Sequence, residues 1–117
     1  MALRCLIVDD NEEFLDSASR LLSAQGLEVV GRASTGAAAV RLAQTLGPDV
    51  ALVDVQLGDE DGLEVTRRLA ADARGTRIIL ISTHSENELA ELIVGSPAVG
   101  FLAKAALGAN AIAEILR

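Results

Sequence analysis

Along the chain, short apolar runs alternate with longer amphipathic stretches, with no low-complexity sequence and no internal linker. Five runs read as strands: Leu3 to Val8, Leu27 to Arg32, Val50 to Val53, Arg77 to Ile81 and Val99 to Leu102. Most are continuously apolar rather than alternating, as expected of parallel strands covered by helices on both faces. Between them the spacing predicts helices. Phe14, Ala18, Leu21 and Leu22 recur at helical intervals before Gly26, a C-terminal stop, and a second helix runs from about Gly36 to Leu46 and ends at Gly47-Pro48. Leu63, Thr66, Leu69 and Ala70 form a third inward stripe. Ser85 and Glu88 make a capping-box pair ahead of Leu89, Leu92 and Ile93, and Ile112, Ile115 and Leu116 form a last stripe. A βα unit repeated five times implies a doubly wound, three-layer α/β/α domain spanning residues 1–117.

Composition narrows what such a domain does. Tryptophan and tyrosine are absent and phenylalanine occurs twice, so the core is aliphatic and stacking on nucleic-acid bases is nearly excluded. Seventeen acidic against ten basic residues give a net charge of -7, the wrong sign for neutralising nucleic-acid phosphates, so this segment is not expected to contact DNA. The single cysteine, Cys5, lies inside an apolar run and reads as a buried, inert thiol. The first apolar run is cut off by Asp9 and Asp10, and no run approaches the roughly 20 residues of a membrane span. The expectation is a soluble cytoplasmic domain with no membrane contact.

In a doubly wound sheet, ligands bind beyond the carboxyl ends of the strands, where the strand order reverses. The first run ends in Asp9-Asp10, the third in Asp54 and the fourth in Ser82-Thr83, while Lys104 closely follows the fifth. In the flavodoxin-like order 2-1-3-4-5 the first and third strands are neighbours, which brings the three aspartates together at the switch point. Carboxylates so placed repel one another unless a cation offsets them. An all-oxygen site with few protein ligands suits Mg²⁺ better than Ca²⁺. The competing reading of Asp9 or Asp10 taken singly is a cap for the helix starting near Glu12. Ser82 has its own alternative, as a residue that merely ends a strand.

From Val8-Asp9-Asp10 to the last helix, the chain resembles response-regulator receiver domains. Asp54-Val55-Gln56-Leu57-Gly58-Asp59-Glu60-Asp61-Gly62 is similar to the phosphoacceptor segment of that family, Ile79 to Ser82 to its fourth strand, and Gly100-Phe101-Leu102-Ala103-Lys104 to its lysine segment. The resemblance implies that Asp54 is the nucleophile that accepts a phosphoryl group. Asp9, Asp10 and Asp54, with the backbone carbonyl of Gln56, would hold Mg²⁺. Lys104 would pair with phosphoryl oxygens and Ser82 would hydrogen-bond another. Ser82 and Phe101 would act as the switch, changing the surface of the fourth helix, fifth strand and fifth helix, although Phe101 reads equally as a core residue. Gln56 and His84 would modulate the phosphate's lifetime, with a solvent-facing loop histidine the simpler reading of His84.

The family's partners follow by the same resemblance. They are a sensor histidine kinase as donor, room for a homodimer, and one of two output arrangements: a stand-alone receiver, or a C-terminal helix-turn-helix DNA-binding domain beyond this chain with transcription control as the output, toward which the texture of the fourth strand and lysine segment leans. Such a domain is a phospho-switch rather than an enzyme. Some positions depart from the pattern: Gly58 stands where proline is usual, which predicts a looser turn after Asp54, Pro97 where glycine is common, and Ala105 where proline or an acid often follows the lysine. Three other functions compete, one of them a flavin- or nucleotide-binding module on the same fold, against which the lack of a GxGxxG or GxxxxGK(S/T) loop argues. An aspartate-nucleophile phosphohydrolase needs a second acid two residues after the nucleophile, where this chain has Gln56. A degenerate receiver would act only as an interaction module, against which the set Asp9, Asp10, Asp54, Ser82 and Lys104 argues.

Overall fold

A computed structural model describes residues 2–83 and 93–117 of the chain. In chain order it shows β1 (Arg4–Val8), α1 (Glu12–Ala24), β2 (Glu28–Ala33), α2 (Gly36–Leu46), β3 (Val50–Asp54), the short pair β4 (Gln56–Leu57) and β5 (Glu60–Asp61), α3 (Gly62–Asp72), β6 (Arg77–Ser82), β7 (Gly100–Ala103), a 3₁₀ turn at Lys104–Ala106 and α4 (Ala109–Leu116). The main sheet has five parallel strands in the order β2-β1-β3-β6-β7, which is the expected flavodoxin-like order. Four helices lie among the described residues. The expected fourth helix as far as Leu92, with its Ser85–Glu88 capping pair, falls on residues 84–92, outside the described residues, as does His84.

The continuous apolar runs are explained by two cores, one on each face of the sheet. Leu6, Val8, Ala51, Val53, Ile78, Leu80 and Phe101 face α2 and α3, through residues such as Ala39, Val40, Leu63, Val65 and Leu69. The residues of opposite parity, Cys5, Ile7, Val50, Leu52, Ile79 and Ile81, pack against Leu15, Ala18 and Leu22 of α1 and Ile112 of α4. A strand buried on both sides has no polar side to alternate with, so period two survives only in which helix each residue touches. Burial pushes the Cys5 thiol up to about 12, which keeps it protonated and inert.

Helix boundaries follow local chemistry. Gly26, at φ +97°, lets the chain turn back after α1, with the Leu27 amide donating to Leu22 O at 3.0 Å. Gly47, at φ +56°, ends α2. The inward stripe of α1 keeps Ala18 and Leu22 of the expected set and takes Leu15 in place of Phe14, while Leu21 is 40% exposed. Spacings of three and seven keep the stripe on one face, whereas Leu21 sits a sixth to a third of a turn away from it.

Candidate functional site

Parity carries the sheet's order into the site. Asp9 continues the series Cys5 and Ile7, Asp54 continues Val50 and Leu52, and Lys104 continues Leu102, all on the α1 side of the sheet. Register completes the placement: Val8 lies beside Val53 and Ser82 beside Ala103, so Asp9 and Asp54 leave neighbouring strands at the same level. One ligand oxygen from each of Asp9, Asp10 and Asp54 lies within 4.8 Å of the others. All of Asp9, Asp10, Asp54, Gln56, Ser82 and Lys104 line one open cleft of about 380 Å³.

Asp9 and Asp54 use their oxygens alike. Each gives Oδ1 to the amide two residues on, Asn11 N at 2.9 Å and Gln56 N at 3.2 Å, a local turn that fixes the carboxylate against its own loop. Each turns Oδ2 to the Lys104 ammonium, at 2.5 Å from Asp9 and 3.1 Å from Asp54. Asp9 is fully buried, and apart from that charge contact its Oδ2 has no hydrogen-bond partner among the described residues. Asp10 is exposed at the mouth of the cleft. Neither aspartate caps α1: that role falls to Asn11, whose Oδ1 accepts from Phe14 N at 3.2 Å.

Electrostatics follow from this crowding. Burial, and then the neighbouring Asp9 charge, raise the Asp54 pKa above the ordinary aspartate value, against the lowering effect of the Gln56 amide and of Lys104. Burial works against the Lys104 ammonium too, but the Asp9 and Asp54 carboxylates outweigh it and hold its pKa above the usual lysine value. Two acids sharing one cation leave the site short of positive charge.

The loop after Asp54 is a defined hairpin and not a loosened turn. Leu57 pairs with Glu60 and Gln56 with Asp61. Gly58, at φ +60°, takes the first central position of the two-residue turn, where type II′ turns favour glycine. A side chain there would also approach Asp10 Oδ2 to 3.4 Å. Glu60 Oε2 accepts the Gly36 amide at 2.9 Å, tying the hairpin to the start of α2. Asp61 caps α3 through Leu63 N at 2.9 Å, and a Cβ on Gly62 would overlap the Asp54 carbonyl oxygen.

Ser82 is buried at the end of β6. It has the opposite strand parity to Asp54 and continues Ile78 and Leu80, on the side where Phe101 is buried. Sequence reasoning missed Asn11, Gly58's turn, Glu60 and Phe14. The ring centroid of Phe14 lies 4.5 Å from Lys104 Nζ. Only an Asn one residue ahead of a Glu-rich first turn was available as a signal, and it marks the cap.

Fold and site together define a doubly wound α/β domain that presents an acidic cluster and one lysine at its topological switch point. The chain belongs to the response regulator receiver domain family, which it matches over residues 5–117. It is 34% identical over 114 residues to the response regulator UvrY of Escherichia coli, covering 97% of this chain and 52% of that protein. To the transcriptional regulatory protein LiaR of Bacillus subtilis it is 32% identical over 116 residues, covering 98% of this chain and 54% of that one. The chain therefore spans about half the length of the curated relatives it matches. It also superposes, with a TM-score of 0.83 and 27% identity over 97% of this chain and 66% of the other, on a Burkholderia pseudomallei response regulator solved with a phosphorylated aspartic acid, a calcium ion and citrate. As a receiver it is a signalling phospho-switch rather than an enzyme. Among the described residues, no helix is long and apolar enough to cross a membrane.

Proposed function

We propose that residues 1–117 act as one receiver domain in which Asp54 accepts a phosphoryl group from a sensor histidine kinase, in the presence of Mg²⁺. The observation that carries this reading is the convergence of Asp9 and Asp54 on Lys104 beside Asp10, at the carboxyl edge of the sheet. A carboxylate oxygen of Asp54 attacks phosphorus while the donor's P–N bond breaks, and the leaving imidazole nitrogen keeps the electron pair.

The donor set suits a hard divalent ion: three carboxylates, one of them fully buried with its Oδ2 met only by the Lys104 ammonium among the described residues. Asp9, Asp10 and Asp54 would hold it together with the Gln56 carbonyl. When bound, the ion neutralises charge that builds up as the anionic phosphate meets an anionic nucleophile. Lys104, already beside Asp54, supplies a point charge to a phosphoryl oxygen. Ser82 supplies a hydroxyl to another oxygen.

Phosphate brings about -2 charge and three acceptor oxygens to this edge. Ser82 and Phe101 share a side of the sheet, which supports their acting together as the switch that alters the surface around β7 and α4. Gln56 and His84 tune the phosphate's lifetime. A C-terminal DNA-binding output domain and control of transcription, in the cytoplasm, extend the reading to the whole protein. The name of LiaR and the half-length match to the relatives support it. A homodimer would carry the switched surface to DNA, which this acidic segment does not itself touch.

Incubation with acetyl phosphate and Mg²⁺, followed by intact-mass measurement, tests the reading. One labile phosphoryl adduct is expected, dependent on the metal and lost in Asp54→Asn. An adduct that survives the substitution moves the acceptor elsewhere, and the absence of any adduct favours a phosphorylation-independent interaction module.

A further inference from the structure

Lys104 is the only lysine in the chain, and among the described residues its ammonium meets Asp9 Oδ2, Asp54 Oδ2 and the face of Phe14. A centroid distance of 4.5 Å is well inside the roughly 6 Å at which a ring's quadrupole attracts a cation. Phe14 is one of two aromatic residues in a chain whose cores are otherwise aliphatic. The buried stripe of α1 is complete without it, since Leu15, Ala18 and Leu22 fill the core and Phe14 packs only at its margin. Its backbone is fixed by the Asn11 cap, two residues beyond Asp9, so the ring is set by the same turn that sets the acidic cluster.

We infer that Phe14 is a positioning residue for Lys104, holding the ammonium over Asp54 when Asp9 is engaged by a metal ion. The inference rests on the reading of Asp54 as phosphoacceptor. In the structure the ammonium is closer to Asp9 than to Asp54, and both Oδ2 atoms face it. A cation bound by Asp9 competes for that oxygen and repels the ammonium, leaving Asp54 as the one carboxylate still paired with it among the described residues. A flexible four-carbon side chain released in this way would swing to solvent. The ring opposes that by an attraction that involves no carboxylate and is strengthened where water is excluded. An aliphatic residue of similar bulk would fill the space without offering a negative face.

A single lysine makes the contact directly observable. In protein labelled with ¹³Cε-lysine, Lys104 gives one side-chain resonance, expected to be shifted upfield by the Phe14 ring. It should move toward the free-lysine position in Phe14→Leu and stay shielded in Phe14→Tyr. In parallel, phosphorylation of Asp54 by acetyl phosphate at saturating Mg²⁺ should slow by about three- to tenfold in Phe14→Leu and recover in Phe14→Tyr, as expected for loss of one cation–π contact. Mg²⁺ affinity, measured by calorimetry, should change by less than about twofold. An unmoved resonance, an unchanged rate, or a loss of Mg²⁺ affinity well beyond twofold would overturn the inference, the last because it marks a displaced α1 start instead. A wild-type chain that takes up no phosphoryl group sinks the acceptor reading but not the contact, which the resonance then decides alone.

Discussion

At the scale of single residues, the site is governed by how two carboxylates divide their oxygens. Asp9 and Asp54 each spend one oxygen on the amide two residues ahead and one on Lys104. The shared lysine is not enough for both, which is why burial and the Asp9 charge still hold the Asp54 pKa above its ordinary value. A raised value gives pH dependence a definite sign. At low pH the side chain is protonated in both states; as pH rises the unfolded chain ionises first, so stability is lost until the folded carboxyl ionises too. In chelator, Asp54→Asn should therefore be more stable than wild type at pH 7, and the advantage should shrink as pH falls toward about 4. Urea titrations across that range check this, and a difference that is flat with pH would contradict it. The acids and the lysine were legible in the sequence because strand ends are. Asn11 and Phe14 were not: the cap depends on one residue's backbone angle, and the ring meets a lysine 90 positions away.

At the scale of elements, the segment after Asp54 shows how a departure from a familiar pattern is accommodated. Glycine in place of proline suggests slackness, yet Gly58 adopts a left-handed conformation that closes a two-residue hairpin and clears Asp10. Proline cannot follow, since its ring fixes φ near −65°. Gly58→Pro, although it restores the commoner residue, should destabilise the domain by about 2 kcal/mol or more, read as a lower urea midpoint at unchanged slope. A neutral or stabilising result would mean that the turn is not held as described. The hairpin is in turn anchored by Glu60 on the amide that opens α2, an interaction across 24 residues that no local pattern encodes. Helix α2, expected from about Gly36 to Leu46 with its stop at Gly47-Pro48, has those bounds, and Thr35 caps its start.

At the scale of the molecule, two aliphatic cores hold a sheet whose carboxyl edge carries uncompensated negative charge, in a chain of net charge -7. A divalent cation bound there binds the folded state and not the unfolded one, so it stabilises by mass action. Mg²⁺ at about a hundredfold its dissociation constant should raise the unfolding free energy by about 2.7 kcal/mol over the chelated protein. Asp10→Asn, which removes an exposed ligand without opening either core, should abolish most of that gain. Equal melts with and without Mg²⁺ would argue against a metal at this edge.

What the sequence determined by itself was the order of the five parallel strands and of the four described helices, and the identity of the acidic and basic residues at strand ends, because hydrophobic period, glycine stops and strand termini are all local properties of the chain. What tertiary structure alone decided was which oxygen of each aspartate meets Lys104, that Phe14 lies beside the ammonium, and that Glu60 braces the hairpin. Those contacts join segments far apart in sequence. They exist only once strand register and helix phase have been set by packing, and a shift of one residue in either would change its partners.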